Sequence, residues 1–300
     1  MSFSNDNLIV RTADNKIKFQ CTCYRIFIVF AVGHTTITSA VIQKAQKFGF
    51  FIALMTSGFR LYSIIGAAKD GNTLLHKKQY FYNDIGIAKT IVVNKINNQI
   101  AELNAVRNKN DNIKESIELM KQYSMKAGFA EEVNELMAYE GLSSKLYFKN
   151  HFNNICWQGR QPRIKRDYVN SALDIGYTVL FAYVDALLSS YGFDTYCGVM
   201  HKQFYMRKSL VCDIVEPFRV IIDHEIKKAI NLKQIQETDF ELINNQYRLK
   251  WSESSKYINI LVAPLIESKE EIFAYIQAYY RAFMKELPPD KFPMYEWGAK

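Results

Sequence analysis

The stretch Gly198–Arg219 reads GVMHKQFYMRKSLVCDIVEPFR and carries more chemistry than any other part of the chain. One histidine, His201, is followed by the basic residues Lys202, Arg207 and Lys208 and then by Asp213 and Glu216. Asp213 and Glu216 stand at i and i+3, so on a helix both carboxylates face the same way. Leu210, Val211, Cys212, Ile214 and Val215 surround them, which predicts buried flanks around an otherwise ordinary charged face. Pro217 donates no backbone hydrogen bond, so a kink or a helix start is expected there. Imidazole, carboxylates and cations at this density suit a hard divalent ion, Mg2+ or Mn2+, working on a polyanion.

Outside this stretch the bulk properties set limits. The 300 residues fit two domains or one large one, and 49% hydrophobic content supports a packed core. Charged residues make up 23%, which argues against disorder. A net charge of +8 favours an acidic partner, nucleic acid or a membrane surface. No strongly basic amphipathic helix supports the membrane. The most apolar segment, Ala172–Ser189, is interrupted by Asp174 and Asp185 and reads as a buried core helix rather than a span. Five cysteines, none in a CxxC pair and with no signal peptide ahead of them, fit a reducing, cytoplasmic setting. Cys21 and Cys23 fit one face of a strand better than a zinc knuckle.

Residue patterns divide the chain. Leu8–Val10, Ile17–Cys23, Ile26–Val32, Phe50–Met55 and Phe59–Ile64 are short β-branched and aromatic runs that read as strands. Thr36 is a candidate cap for a helix over Ile37–Phe48. The period then becomes helical, with helices expected over Ile85–Val106, Ile113–Met125, Ala130–Phe152, Asp167–Ser190, Leu210–Ile230 and Ser252–Lys285. A hairpin, Phe240–Trp251, turns at Asn244–Asn245. The expected fold is α+β: a small β-rich N-terminal domain over residues 1–82 and a larger all-α domain over 83–300.

Two further features carry charge. Glu140 shares a helical stripe with Val133, Leu136, Met137, Ser144, Tyr147 and Phe148. A carboxylate there must be paired, protonated or metal-bound, because a lone buried charge is costly, unless it sits at the rim or pairs with Lys145. The segment Gln158–Arg166 holds Arg160, Arg163, Lys165 and Arg166, as either a solvated loop or a phosphate-contacting one.

The order of these motifs resembles the CRISPR-associated protein 1 family. Gly33–Gly49 (GHTTITSAVIQKAQKFG) resembles its first helix, and Gly71–Tyr80 (GNTLLHKKQY) its domain-linking motif. Met137–Phe148 (MAYEGLSSKLYF) resembles its Glu-Gly motif. The run GRQPRIKRDYVNSALDIGYTVL, with GVMH and SLVCDIVEPFR after it, resembles its core. His201 precedes Asp213 by twelve residues and Glu216 by fifteen, which is the family's spacing. His76 stands where the family commonly has arginine.

The resemblance implies a cytoplasmic, prokaryotic DNA endonuclease and integrase that inserts spacer DNA into a CRISPR array by transesterification. Glu140, His201 and Glu216 are then expected to converge as catalytic ligands of Mg2+ or Mn2+, with Asp213 as a possible additional acid. Arg160, Arg163, Arg166, Lys202, Arg207, Lys208 and Arg219 are expected to contact DNA. The family works as homodimers that sandwich CRISPR-associated protein 2. The rival readings are a transposon-type homologous integrase, a branched-DNA nuclease and a non-catalytic DNA-binding scaffold. The scaffold predicts loss of a ligand position, and none is lost here.

Overall fold

In the computed structural model, residues 2–67, 71–155, 157, 159–201 and 204–298 are described. Lys202, an expected DNA contact, and Cys156 lie outside them. The N-terminal strands form two sheets. β1 (Ser2–Ser4), β2 (Asn7–Arg11) and β3 (Ile17–Thr22) pair antiparallel in that order. β4 (Ile28–Val32) runs parallel to β5 (Phe51–Met55), which pairs antiparallel with β6 (Leu61–Gly66). The parallel pair needs a crossover. The crossover contains α1 (Ser39–Phe48), which begins later than the sequence suggests: Thr38, not Thr36, is its cap residue, and it makes no side-chain cap bond. β1 escaped the sequence reading because three residues are too few to show a period.

The helical part opens with α2 (Thr73–Phe81), capped by the Asn72 side chain on Leu75 N at 3.3 Å. It was not expected as a separate helix, because its polar side turns inward and breaks the apolar period. Then come α3 (Gly86–Asn104), α4 (Asp111–Phe129), α5 (Val133–His151) and α6 (Tyr168–Ser190). The expected helix over Leu210–Ile230 is interrupted at Pro217. α7 (Ser209–Ile214) ends, Glu216–Phe218 form a 3-10 turn, and α8 (Arg219–Asn231) starts afresh. The hairpin of β7 (Phe240–Ile243) and β8 (Gln246–Leu249) turns on Asn244 and Asn245, both at positive φ (51° and 62°), as a type I′ turn requires. The long C-terminal helix is split into α9 (Ser254–Glu267) and α10 (Lys269–Met284). Pro264 removes a donor one turn ahead of the break at Ser268.

α6 organises the packing. It is the one described helix long and apolar enough to span a membrane, but it is mostly buried and serves as the core helix. One side meets α8 and α9 around Gly176, where a Cβ would come within 3.2 Å of Leu261 Cδ2 and closer still to Ile222. Higher up, Ala182 and Ala186 accept the β5–β6 face through Phe51, Ala53, Met55 and Ile64. Phe30 against Tyr183 (centroids 5.2 Å apart) and Phe27 against Phe273 (4.9 Å) complete the contact between the strands and the helices. Segment 292–298 lies along α3. There the Asn94 side chain bonds both N and O of Tyr295 at 2.8 and 2.7 Å, and Asn98 Oδ1 accepts from Trp297 N at 3.0 Å.

Candidate active site

Three elements bring charge to one buried place. α3 supplies Lys95, α5 supplies Glu140, and the 3-10 turn after α7 supplies Glu216. The Lys95 ammonium, whose side chain is only 8% exposed, bonds Glu140 Oε1 and lies 2.6 Å from Glu216 Oε2. Glu140 also accepts from the Ser144 hydroxyl at 3.1 Å, so its partner is Lys95 rather than Lys145. Arg219 Nε lies 2.9 Å from the same Glu216 Oε2. Two cations thus converge on one buried carboxylate oxygen.

Burial pushes the Glu216 carboxyl up, but Arg219 and Lys95, with a further contribution from His201, overcome this and hold it at about 2. Burial pulls the Lys95 ammonium down, and Glu140 and Glu216 more than restore it, so Lys95 stays charged.

His201 is fixed by Asp213. The carboxylate is fully buried and accepts from the backbone N–H groups of Val199 (2.7 Å), Met200 (3.1 Å) and His201 (3.1 Å). Its Oδ1 also lies 2.6 Å from His201 Nδ1. A carboxylate on Nδ1 keeps the proton there and leaves Nε2 as the lone-pair nitrogen, the arrangement that metal-binding imidazoles adopt. Gly198 makes this close approach possible, because a Cβ there would lie 2.6 Å from Asp213 Oδ2.

Both Asp213 oxygens are engaged in this way, so the carboxylate orients His201. Glu140 and Glu216 meet on Lys95, while His201 is anchored on Asp213 and acts on Glu216 through its charge. Among the described residues no three His, Cys, Asp or Glu side chains are close enough to hold a metal ion as they stand. The donor set nevertheless fits a hard divalent cation in its chemistry: two carboxylates already share one cation, and an imidazole oriented by Asp213 contributes to the field at one of them.

The expected DNA contacts divide by burial. Arg160, 12% exposed, bonds Asp174 at 2.5 Å and Asn170 at 3.0 Å, and so ties its loop to α6. Lys208 is likewise tied to Asp185 of α6 at 2.6 Å. Arg207 is half-buried against Cys212, and Arg219 belongs to the charged cluster itself. Arg163 and Arg166 remain exposed. His76 bonds Gly192 O at 2.8 Å and so serves packing at that point.

Several site residues were not found in the sequence. Lys95 gave the same signal as Glu140, a charge inside the apolar stripe of Ile91, Val92 and Ile96. Asn98 donates to Pro217 O at 3.0 Å while accepting from Trp297, and so links the C-terminal segment to the turn that carries Glu216. Gln79 bonds both N and O of Asp194, at 2.9 and 3.0 Å, and fixes the loop that leads to His201. Tyr177 donates to Asp223 and lies under Arg219, with its ring centroid 4.6 Å from the guanidinium carbon.

The CRISPR associated protein Cas1 family profile matches residues 1–261, and the chain belongs to that family. It is 23% identical over 275 residues to the CRISPR-associated endonuclease Cas1 1 of Francisella tularensis subsp. novicida, covering 88% of this chain and 82% of the relative. Its fold is similar to that of a chain in a partial Cas6-RT-Cas1–Cas2 complex, with a TM-score of 0.79, 22% identity and coverage of 98% and 95% of the two chains. It is also similar to a casposase bound to its integration product, with a TM-score of 0.69, 19% identity and coverage of 99% and 96%.

Burial pushes the Asp223 carboxyl up to about 7, against the pull of the Tyr177 hydroxyl and Arg219. An acid raised from 3.8 to about 7 binds a proton that the unfolded chain lacks. It therefore makes stability fall as pH rises through that window, with a slope of at most about 1.4 kcal/mol per pH unit. We expect Asp223→Asn to flatten this slope while keeping the Tyr177 contact. Urea melts from pH 4 to 8 check it, and an unchanged slope in the variant refutes it.

Proposed function

We propose that the chain is a divalent-metal-dependent DNA endonuclease and integrase that joins spacer DNA to a CRISPR array by transesterification. The observation that carries this reading is the convergence of Glu140 and Glu216, from separate elements, on one buried cation. Glu140, Glu216 and His201 would hold Mg2+ or Mn2+. A cation of that kind, when bound, lowers the pKa of an attacking hydroxyl and offsets charge at phosphorus. Asp213 keeps the imidazole in its tautomer. Arg219 adds positive charge beside Glu216 and is held over Tyr177, where it can face a phosphate oxygen. Arg163 and Arg166 grip the DNA backbone without reading its sequence.

Membership in the Cas1 family, relatives named as endonucleases, and a fold shared with a casposase solved with its integration product all support strand cutting and joining. The fold shared with a chain of a Cas1–Cas2 complex supports CRISPR-associated protein 2 as partner. A homodimer is the further expectation. β3 is an edge strand, and Ile17 and Phe19 on it are each 53% exposed, an apolar surface that pairing would cover.

Three measurements test this reading. Glu140→Ala is expected to abolish metal-dependent joining of a short duplex into a repeat plasmid, by at least about 100-fold. It should leave DNA affinity within a few-fold, because affinity rests on phosphate contacts. Joining at the wild-type rate would remove Glu140 from the site. Charge reversal at Arg163 and Arg166 should weaken binding for all sequences and flatten its salt dependence by about one unit of slope per lost contact. Unchanged affinity and slope would return the loop to a solvated role. Sedimentation at micromolar concentration should give twice the 34.9 kDa chain mass, and a monomer would overturn the dimer.

A further inference from the structure

Lys95 presents a conflict that the proposed metal site must resolve. Its ammonium bonds Glu140 and lies 2.6 Å from Glu216 Oε2. Carboxylate oxygens hold Mg2+ at about 2.0–2.1 Å, so an ion shared by these two groups needs the volume that the ammonium fills. Two cations at one point repel, and the divalent one carries the larger charge.

The surroundings suit an exchange. Glu140 keeps a second bond, from Ser144 at 3.1 Å, when Lys95 leaves. Glu216 keeps Arg219 at 2.9 Å. The contact of Lys95 to Glu216 is between opposite charges, and a divalent ion can make the same kind of contact. α3 itself stays put, because Asn94 and Asn98, on either side of Lys95, are bonded to Tyr295, Trp297 and Pro217. The lysine stem has four rotatable bonds and moves without its helix.

We propose that Lys95 is a resident counter-cation. It holds Glu140 and Glu216 in register before loading, and the incoming divalent ion displaces it. Lys95 is thus a positioning residue that sets metal affinity by competing for the carboxylates. The proposal rests on the metal reading above, and the test separates the two.

Mn2+ titration of the full chain, followed by the electron paramagnetic resonance of the free ion, gives the affinity directly. Lys95→Met removes the competing charge at nearly constant volume. It is expected to bind Mn2+ about ten-fold tighter than wild type, about 1.4 kcal/mol. In EDTA its Tm should fall, since two carboxylates are left with Arg219 alone, and Mn2+ should raise that Tm by more than it raises the wild type's. Lys95→Arg cannot vacate as readily, because its fork binds carboxylates in two-point fashion, and it is expected to bind Mn2+ about ten-fold more weakly. Lys95→Met binding no tighter than wild type, or Lys95→Arg binding as tightly, overturns the exchange while leaving the metal reading intact. No Mn2+ binding by the wild type or by either variant overturns the metal reading and the exchange with it. If Lys95→Met does not fold, the Lys95→Arg affinity alone decides the matter.

Discussion

One buried ammonium shared by two carboxylates is the constraint to which the helical part of this chain is built. Glu216 is 6% exposed and Glu140 23%, and they come from elements about seventy-six residues apart in sequence. Each carboxylate taken from water costs several kcal/mol unless it is paired. At an effective dielectric constant of about 20, a unit charge pair at about 4 Å returns roughly 4 kcal/mol. Lys95 is therefore what lets α3, α5 and the Glu216 turn pack together with their charges facing inward. Removing the lysine without supplying another cation leaves like charges facing each other, and the site keeps its shape only while some positive charge is present.

Three side chains around that cluster, Asn98, Asp213 and Gln79, hold their surroundings through hydrogen bonds to backbone. Asn98 joins the C-terminal segment to Pro217, next to Glu216. Asp213 gathers three successive backbone N–H groups and the His201 ring. Gln79 clasps Asp194 in the same loop. Amide and carboxylate side chains that bond backbone in pairs are directional, so they fix position where packing of apolar groups would allow sliding. The glycine at 198 belongs to this scheme because any side chain there would push the loop off Asp213.

The sequence carried the fold well where a single period ran long. α3 through α6 lie within a few residues of the segments their apolar spacing marks. It failed where periodicity is short or is broken by polar groups facing inward. β1 is three residues long, and α2 buries Gln79. The interruption at Pro217 was legible because proline has a local, context-free effect. The division of the last helix at Ser268 was missed because Pro264 can also sit in a continuous helix.

Within the site, Glu140 and Lys95 gave the same signal, a charge within an apolar stripe, and only three-dimensional contact reveals that each is the other's partner. For Asp213, too, only contact reveals the partner, the His201 ring. Its spacing to Glu216 puts both carboxylates on one helix only if the helix continues, and Pro217 stops it.

The basic residues show the same limit. Spacing predicts a cluster of positive charge around the 158–166 loop and after His201, but not which cations are free. Arg160 and Lys208 lie against α6 because Asp174 and Asp185 interrupt its apolar run there, and a partly buried carboxylate attracts the nearest cation. Those two aspartates, which mark α6 as a core helix, also anchor the loops on either side of the site. Arg163 and Arg166 have no such partner on α6 for their side chains and stay in solvent. The chain thus separates its cations by the company they keep. Those beside acids in the core tie its elements together, and those left outside add positive potential to the surface.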